Sequence, residues 1–461
     1  MRTRAIQLAQ GLLVSSILFM SALLHEPAES GESTESTESA ESTESAADGA
    51  FSRSVLLGRF DRDGDGKLDA DERAALRDAF GGIDVPMLPA KPLKYTGVDR
   101  VRSAMSAEEL RHTDNTPADN PMTDAGALLG RVLFYDRQLS GNNTVSCASC
   151  HHQDRGFADP RTLSVGFEGG LTARNAMSLV NLRYTNLRGL RPGFFWDERA
   201  PTLEAQALMP IQDELEMGMK LPDLERRLQK LPYYPGLFTA AFGSSRVTSR
   251  RIARAVAQFM RSLVSFDSKF DRSARKQEKR DYFEDFDGFT AQENLGKSLF
   301  IEGVRKVAEF GCAFCHIPPT FGMPKSFNNG LDAKYKDRGL GTLDRPSNDP
   351  FTPSNDGKFK APPLRNVERS APYMHDGRFE TLEQVVDHYS DGVHAHANVS
   401  LAFADEKSVT ATFGSTSGFK FTAEQKAALV AFLKTLTDED FVSDPRFSDP
   451  FIRAGVKKAD Q

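Results

Sequence analysis

All four cysteines of this 461-residue chain lie in two pentapeptides of the form Cys-x-x-Cys-His, namely Cys147-Ala-Ser-Cys150-His151 and Cys312-Ala-Phe-Cys315-His316. This spacing lets two thiols add to the two vinyl groups of a haem while the adjacent histidine reaches the iron. A zinc site made from the two cysteine pairs is the alternative, but zinc gives no reason for a histidine directly after each pair. The motifs predict two covalently bound haem c groups, with His151 and His316 as iron ligands.

The segment upstream of each motif is also repeated. A six-residue pattern recurs as Leu129-Gly130-Arg131-Val132-Leu133-Phe134 and Leu295-Gly296-Lys297-Ser298-Leu299-Phe300. Apolar residues at helical spacing recur over residues 203–208, 221–231 and 252–266, whereas strand-like alternation is scarce. We therefore expect a mainly α fold with two tandem class I cytochrome c-like haem domains. The N-terminal haem domain is expected over residues 86–280 and the C-terminal haem domain over residues 281–461.

The first 50 residues are typical of an exported protein. Arg2 and Arg4 precede an apolar run from Leu8 to Leu24, which predicts a signal peptide over residues 1–28 and a periplasmic location. A membrane anchor is the alternative, but the run is marginal for the roughly 20 apolar residues that a span needs. We expect no stable membrane span after cleavage.

A glutamate recurs at every third position from Glu26 to Glu44, so residues 29–50 are predicted to be a disordered Glu/Ser/Thr linker. Residues 26–50 contain seven Glu and one Asp, and their combined negative charge exceeds the formal charge of −6 for the whole chain. The remainder is therefore close to neutral, and no nucleic-acid partner is expected.

Residues 61–72 match the calcium-binding loop of an EF-hand, which we expect within a segment spanning residues 51–85. Side-chain or backbone oxygens are expected from six positions: Asp61, Asp63, Asp65, Lys67, Asp69 and Glu72. Gly66 stands at the sixth position, where the loop turns sharply. An acidic surface turn is the alternative interpretation. A single loop of this kind favours a structural or tethering role over a calcium switch.

Several stretches between and after the haem motifs resemble the dihaem cytochrome c peroxidase superfamily, and more specifically its MauG/MbnH-like branch. The matching stretches are Phe195-Trp196-Asp197, Glu216-Met217-Gly218, Leu364-Arg365-Asn366 and Ala371-Pro372-Tyr373-Met374-His375-Asp376-Gly377. The resemblance covers about residues 120–440. It implies an enzyme that reacts with hydrogen peroxide through its haems.

The second haem motif departs from the peroxidase pattern at its distal ligand. Family peroxidases carry a methionine ligand fourteen residues after the histidine of the His-Asp-Gly motif, and that position is Tyr389 in this chain. The resemblance to the MauG-like branch implies that Tyr389 is the second ligand of this iron. Leu382, Val385, Val386 and Tyr389 share one helical face, which points Tyr389 inward. An ordinary core tyrosine and a Met374 ligand remain the alternatives.

The first haem is expected to be open on its distal side. Many dihaem peroxidases carry a further histidine sixteen residues after the first motif, but position 167 is Phe and no histidine occurs between His152 and His316. The resemblance implies that Glu216 moves a proton between the peroxide oxygens, with Gln206 and Pro210 beside it. The alternative is that Glu216 only caps or solvates a helix start.

The resemblance also assigns an inter-haem relay and an inter-haem metal. Trp196, the single tryptophan, is expected between the haems as an electron relay, with core packing as the alternative. A calcium ion is expected between the haems, bound by the side chain of Asn175 and the backbone carbonyls of Ser370 and Pro372. His375 is expected to orient a neighbouring group, and His394 and His396 are interpreted as loop residues.

The leading functional hypothesis is an exported oxidoreductase that reaches a high-valent, bis-ferryl-like state with peroxide and oxidises a side chain of a partner protein. The alternative within enzymes is a peroxidase that draws electrons from a small cytochrome c or copper protein. A multihaem electron-transfer protein or calcium-tethered binding protein without catalysis is the third hypothesis. The absence of a distal histidine at the first haem argues against it.

Overall fold

The computed structural model describes residues 50–89, 93–96, 99–102, 104–187, 190–191, 193–277, 281–302, 311–347, 352–403 and 418–453. Within these ranges the chain is mainly helical, as the apolar spacing predicts. The expected signal peptide and nearly all of the expected linker lie outside the described residues. In the described part, no helix is both long enough and apolar enough to cross a membrane.

The helices of the described ranges are, in chain order, α1 (Arg53–Phe60), α2 (Ala70–Ala79), α3 (Asp99–Arg102), α4 (Ala107–Thr113), α5 (Asp124–Tyr135), α6 (Leu203–Gln212), α7 (Leu221–Lys230), α8 (Tyr234–Phe242), α9 (Ser249–Ser262), α10 (Lys269–Ala274), α11 (Ala291–Glu302), α12 (Leu382–Asp387), α13 (Ala423–Lys434) and α14 (Glu439–Ser443). Two short antiparallel strand pairs join distant segments. Strand β1 (Val85–Pro86) pairs with β4 (Phe451–Ile452), and β2 (Ser326–Phe327) pairs with β3 (Phe359–Lys360).

Threonine side chains mark the starts of the helices that frame the two halves. Thr123, Thr248 and Thr422 precede α5, α9 and α13, and each accepts a hydrogen bond from a backbone N–H in the first turn. Such caps satisfy N–H groups that have no partner within the helix. These local signals fix where the framing helices begin.

The repeated six-residue pattern forms the same helix contact in both halves. Helix α5 crosses α9 at Gly130, where an added Cβ would lie 2.0 Å from the carbonyl oxygen of Ala255. Helix α11 crosses α13 at Gly296, where an added Cβ would lie 1.9 Å from the carbonyl oxygen of Ala428. Each glycine therefore lets two helix backbones approach more closely than any side chain permits.

Two large apolar cores follow from these helix pairs. The first core forms around α5, α6 and α9 and also takes in Leu56 of α1 and Leu76 of α2. The second core forms around α11, α12 and α13. The segment that carries the EF-hand-like loop, residues 51–85, thus packs on the first haem-motif half.

The cores do not follow the expected boundary near residue 280. Phe441, Phe447 and Phe451 lie in the first core, although residues 281–461 are expected in the second domain. Their rings contact buried aromatic rings there, and the β1–β4 pair holds the same segment in place. Conversely, Phe270 of α10 lies in the second core. The apolar surface of the C-terminal segment is therefore covered by the first half.

A buried ion pair accounts for the Leu364-Arg365-Asn366 stretch. The Arg365 guanidinium donates to both carboxylate oxygens of Asp271, at 2.6 and 2.8 Å, and both side chains are buried. The Asn366 side chain donates to Ser265 Oγ and accepts from the backbone N–H of Asp438. Because buried charges need partners and hydrogen bonds, these contacts fix how the segments between the two cores meet.

We predict that Gly130→Ala destabilises the protein, because its Cβ would overlap the α9 backbone. The expected loss is about 1–3 kcal/mol of unfolding free energy, the range for overpacked cores, measured by chemical denaturation. Gly58→Ala is the matched control, since Gly58 lies within α1 and an added Cβ there meets no atom within 4 Å. Equal stability of the two variants would contradict the proposed contact.

Candidate active site

The first haem motif lies in a short helical turn that ends against the first core. Turn Cys147–Ser149 is followed by Cys150 and His151. The Nδ1 atom of His151 lies 2.8 Å from the carbonyl oxygen of Phe157, and burial lowers the pKa of this histidine. A carbonyl only accepts, so Nδ1 carries the proton and Nε2 keeps a free lone pair. This is the tautomer that an iron-ligating histidine needs.

The second motif repeats this arrangement. His316 Nδ1 lies 3.0 Å from the carbonyl oxygen of Phe321 and 3.1 Å from that of Pro362. Burial lowers the pKa of His316 to about 4, which keeps the ring neutral. Phe157 and Phe321 both have positive φ angles, 59° and 57°, so the same unusual turn presents each carbonyl. The sequence patterns did not identify either phenylalanine, although Phe157 follows His151 by six positions and Phe321 follows His316 by five.

Each motif opens onto a cleft whose donor set fits a haem c. The first cleft is lined by Cys147, Cys150 and His151, and the second cleft by Cys312, Cys315 and His316. Burial raises the pKa of the Cys147 and Cys312 thiols to about 12. Most of the remaining lining of the second cleft is apolar. Paired thiols and one imidazole facing an apolar cleft are what covalent haem attachment requires.

Trp196 lines both clefts. Its indole Nε1 donates to the carbonyl oxygen of Asn175 at 2.8 Å, and its own carbonyl accepts from the backbone N–H of Lys360 at 2.9 Å. The neighbouring Asp197 holds Arg174 at 2.6 Å and Arg199 at 3.0 Å. One bond therefore fixes the indole ring and the other fixes the backbone of Trp196, which stands in the wall that the two clefts share.

Lys360 is a buried cation in the same wall that sequence reasoning missed. Its side chain lines both clefts, and its Nζ donates to the carbonyl oxygen of Gly193 at 2.7 Å. Burial lowers the pKa of Lys360 to about 8. No sequence pattern predicts that Lys360 lies in this wall, because it is the pairing of β2 with β3 that holds the residue there.

Glu216, Gln206 and Pro210 lie together on the first cleft, as the resemblance implies. Gln206 and Pro210 are one turn apart on α6, and Glu216 follows in the loop. Burial and the nearby charge of Asp213 raise the pKa of Glu216 to about 7, against a smaller opposing effect of Arg199. Lys220, not Glu216, occupies the cap position of α7. The helix-cap alternative is therefore not supported.

Phe167 packs away from the first cleft. An added Cβ at Gly218 would lie 2.2 Å from the Phe167 ring, so the ring fills the space above that glycine. Its backbone N–H donates to the carbonyl of Glu216 at 3.0 Å. Among described residues, the imidazoles that line this cleft are those of His151 and His375. The ring of His375 is stacked on Phe359 at 3.7 Å.

Tyr389 lines the second cleft together with the other three residues of its predicted face. Helix α12 ends at Asp387, and a wider turn of π geometry, His388–Gly392, carries Tyr389. Burial raises the pKa of Tyr389 to about 12, so the phenol is neutral unless a cation lies against it. Local π turns recur at functional sites.

Met374 lines the same cleft as Tyr389. The amide Nδ2 of Asn329 lies 3.4 Å from the Tyr389 hydroxyl and 3.5 Å from the Met374 sulfur. Both candidate ligands therefore face one region of the cleft, and sequence reasoning did not identify the asparagine between them.

The expected inter-haem calcium ligands all line the second cleft. Asn175, Ser370 and Pro372 line the second cleft, and Asn175 lines the first cleft as well. The Asn175 Nδ2 donates to the carbonyl oxygens of Arg161 and Thr162, which turns its Oδ1 away from them. All three residues therefore line one cleft.

The EF-hand-like loop connects α1 to α2. Carboxylate oxygens of Asp61, Asp63 and Asp65 lie within 4.8 Å of one another. Gly66 has a φ of 78°, as the sharp turn of such a loop requires. Glu72 is buried and accepts from the backbone N–H groups of Arg62 and Asp69. The Asp69 side chain caps α2, and Lys67 lies within the loop.

Known proteins share this sequence and architecture. A family model described as di-haem cytochrome c peroxidase matches residues 124–279. Methylamine utilization protein MauG of Methylorubrum extorquens is 35% identical over 324 residues, covering 70% of this chain and 81% of that protein. Cytochrome c551 peroxidase of Nitrosomonas europaea is 30% identical over 339 residues, covering 73% of this chain and 85% of that protein.

Solved structures agree with these relatives. A MauG-like protein associated with microbial copper homeostasis superposes with a TM-score of 0.58 at 36% identity, covering 73% of this chain and 96% of that one. The diheme peroxidase BthA of Burkholderia thailandensis, at 24% identity and a TM-score of 0.54, covers 72% of this chain and 91% of that one and shares the fold. The chain therefore belongs to the di-haem cytochrome c peroxidase family, in its MauG/MbnH-like branch, and is a two-haem oxidoreductase that acts with hydrogen peroxide.

Proposed function

We propose that this enzyme uses hydrogen peroxide to oxidise a side chain of a partner protein, in the manner of the MauG/MbnH-like branch. The observation that carries the proposal is Tyr389, which lines the second cleft where the peroxidase pattern has methionine. An anionic phenolate oxygen favours oxidised iron, whereas a thioether raises the reduction potential. The two haems, when bound, supply the redox chemistry that accepts both oxidising equivalents of peroxide.

A conventional peroxidase with a small cytochrome c or copper protein as electron donor is the second candidate. One observation favours it, because the Met374 sulfur lies beside the same Asn329 amide as the Tyr389 hydroxyl. A Met374 ligand would give the second haem the electron-accepting character of a cytochrome. The two candidates therefore differ in which side chain binds the second iron.

The chain's own residues have distinct roles in this proposal. Glu216 takes a proton from one peroxide oxygen and returns it to the other, because its carboxyl group titrates near neutral pH in the first cleft. Gln206 lines the same cleft, where its amide can hydrogen-bond peroxide. Trp196 relays electrons across the shared wall, held by its bonds to Asn175 and Lys360.

The proposed enzyme has two haem domains and works in the periplasm. The matching glycine contacts and His–Phe hydrogen bonds support two tandem class I cytochrome c-like halves, the first reacting with peroxide and the second transferring electrons. We assign the enzyme to the periplasm because of the signal-like start of the sequence. The electron donor is a partner protein that docks on the enzyme surface, as in the MauG/MbnH-like branch.

We predict that Tyr389→Met changes the absorption and EPR spectra of the second haem and shifts the enzyme toward turnover of reduced cytochrome c. Met374→Leu is the matched control and leaves those spectra unchanged. The partner-oxidation proposal itself is tested by mass spectrometry of proteins encoded beside this gene after peroxide treatment with the holoenzyme. Fast turnover of reduced cytochrome c with no oxidised partner residue would reject it in favour of the peroxidase.

We predict that the rate of the peroxide reaction rises with pH through about 7. Glu216 must be ionised to accept a proton, and its raised pKa of about 7 places that ionisation near neutrality. In Glu216→Gln the second-order rate constant falls by roughly 10²–10⁴-fold, the usual contribution of proton transfer, and loses its pH dependence. Stopped-flow mixing with peroxide measures both effects. Glu214→Gln, at a neighbouring exposed carboxylate, is the control.

We further propose that calcium binds at the EF-hand-like loop and at the shared wall near Asn175, Ser370 and Pro372. Asp63→Asn combined with Asp65→Asn is predicted to remove one calcium site and the associated rise in the melting temperature. Saturating calcium at 100 times the dissociation constant adds about 2.7 kcal/mol to stability. Calorimetric titration counts the sites, and Asp71→Asn, an exposed residue of α2, is the control. An unchanged site count in the double variant would exclude the loop.

A further inference from the structure

Tyr335 and His396 form a hydrogen-bonded pair that the roles above leave unassigned. The Tyr335 hydroxyl contacts His396 Nδ1, and the two ring centroids lie 4.2 Å apart. The residues are 61 positions apart in the sequence. A tyrosine bonded to a histidine can lose an electron and a proton together, because the imidazole receives the phenolic proton.

A third contact fixes the direction of the hydrogen bond. The backbone N–H of Asn398 also donates to His396 Nδ1, at 3.2 Å. Because a backbone N–H can only donate, Nδ1 is the unprotonated nitrogen of a neutral ring. The Tyr335 hydroxyl must therefore be the donor, and the Asn328 Nδ2 donates to the same hydroxyl oxygen at 2.8 Å. The pair is set for transfer of a proton from tyrosine to histidine.

A short chain of bonds links this pair to the second cleft. Asn328 contacts the Tyr335 hydroxyl, and the adjacent Asn329 lies 3.4 Å from the Tyr389 hydroxyl. Two side-chain contacts, joined through the covalent chain of Asn328 and Asn329, thus connect the two phenols. Burial raises the pKa of Tyr335 to about 12, so it is neutral at rest and its oxidation must release a proton.

Tyr335 also reaches the surface. Its side chain is only half-buried, and its neighbours Lys334 and Lys336 are exposed. Trp196, the single tryptophan, lies in the wall between the clefts, so no other indole can carry electrons to the surface. Tyr335 is connected to the second cleft and is partly exposed to solvent, so it can carry electrons to the cleft in place of a second tryptophan.

We propose that Tyr335 and His396 form the redox site through which electrons enter the enzyme from the partner protein. Tyr335 gives one electron toward the Tyr389 cleft, which holds an oxidising equivalent of peroxide, and its phenolic proton moves to His396 Nδ1. One electron from the partner side chain then reduces the tyrosyl radical, and the proton returns from the imidazolium to the phenolate. The inference rests on the proposed oxidation of a partner protein.

The first test detects the radical without any partner. Holoenzyme carrying both haems is mixed with hydrogen peroxide, frozen within milliseconds to seconds, and measured by EPR. We expect a tyrosyl signal that narrows when the protein contains ring-deuterated tyrosine, and that is absent from Tyr335→Phe. Tyr282→Phe is the matched control, since Tyr282 is half-buried in the same half but lines neither cleft. No tyrosyl signal, or one that persists in Tyr335→Phe, overturns the proposal.

The second test separates electron entry from the peroxide reaction. Tyr335→Phe should consume peroxide normally with a small-molecule electron donor but oxidise a protein donor slowly. His396→Gln keeps an acceptor for the hydroxyl but cannot hold the proton, so it should slow protein oxidation by roughly 10²-fold. A wild-type enzyme that shows the radical but oxidises no partner side chain would refute the proposed function and leave the radical assignment standing. Unchanged protein oxidation in both variants refutes the electron-entry role.

Discussion

At Gly130 and Gly296 two helix backbones approach so closely that no side chain fits between them. Each contact fixes the angle and distance of a helix pair, and each pair supports one haem-attachment segment through the core around it. These two helix pairs therefore determine where the clefts, their histidines and the wall between them lie. Because overpacked cores lose stability quickly, little variation is possible at either glycine.

The two halves orient the histidine of the haem motif in the same way, but they differ in the other residues that line each cleft. In both, a phenylalanine with positive φ presents its carbonyl to the histidine Nδ1, which fixes the tautomer. The first cleft is also lined by Glu216, a carboxyl group with a raised pKa, and the second cleft by the phenol of Tyr389. The same local arrangement around the histidine is therefore combined with different residues in the two clefts.

The two clefts are adjacent, because several residues form a wall that lines both of them. Trp196 is held by Asn175 and Lys360, and all three residues line both clefts. The buried side chain of Lys360 donates from Nζ to the carbonyl oxygen of Gly193, so a cation lies in the same wall as Trp196. The relay proposed for Trp196 therefore runs through a wall that both clefts contact.

The sequence by itself determined the two haem attachments, the helical fold, the tyrosine of the second cleft and the calcium-loop pattern, because each depends on local spacing. It did not determine the carbonyls of Phe157 and Phe321, since a positive φ at phenylalanine has no compositional signal. Nor did it show that Phe441, Phe447 and Phe451 pack in the first core. The Lys360 wall and the Tyr335–His396 pair also emerged only in the tertiary structure, because packing joins residues that are far apart in the chain.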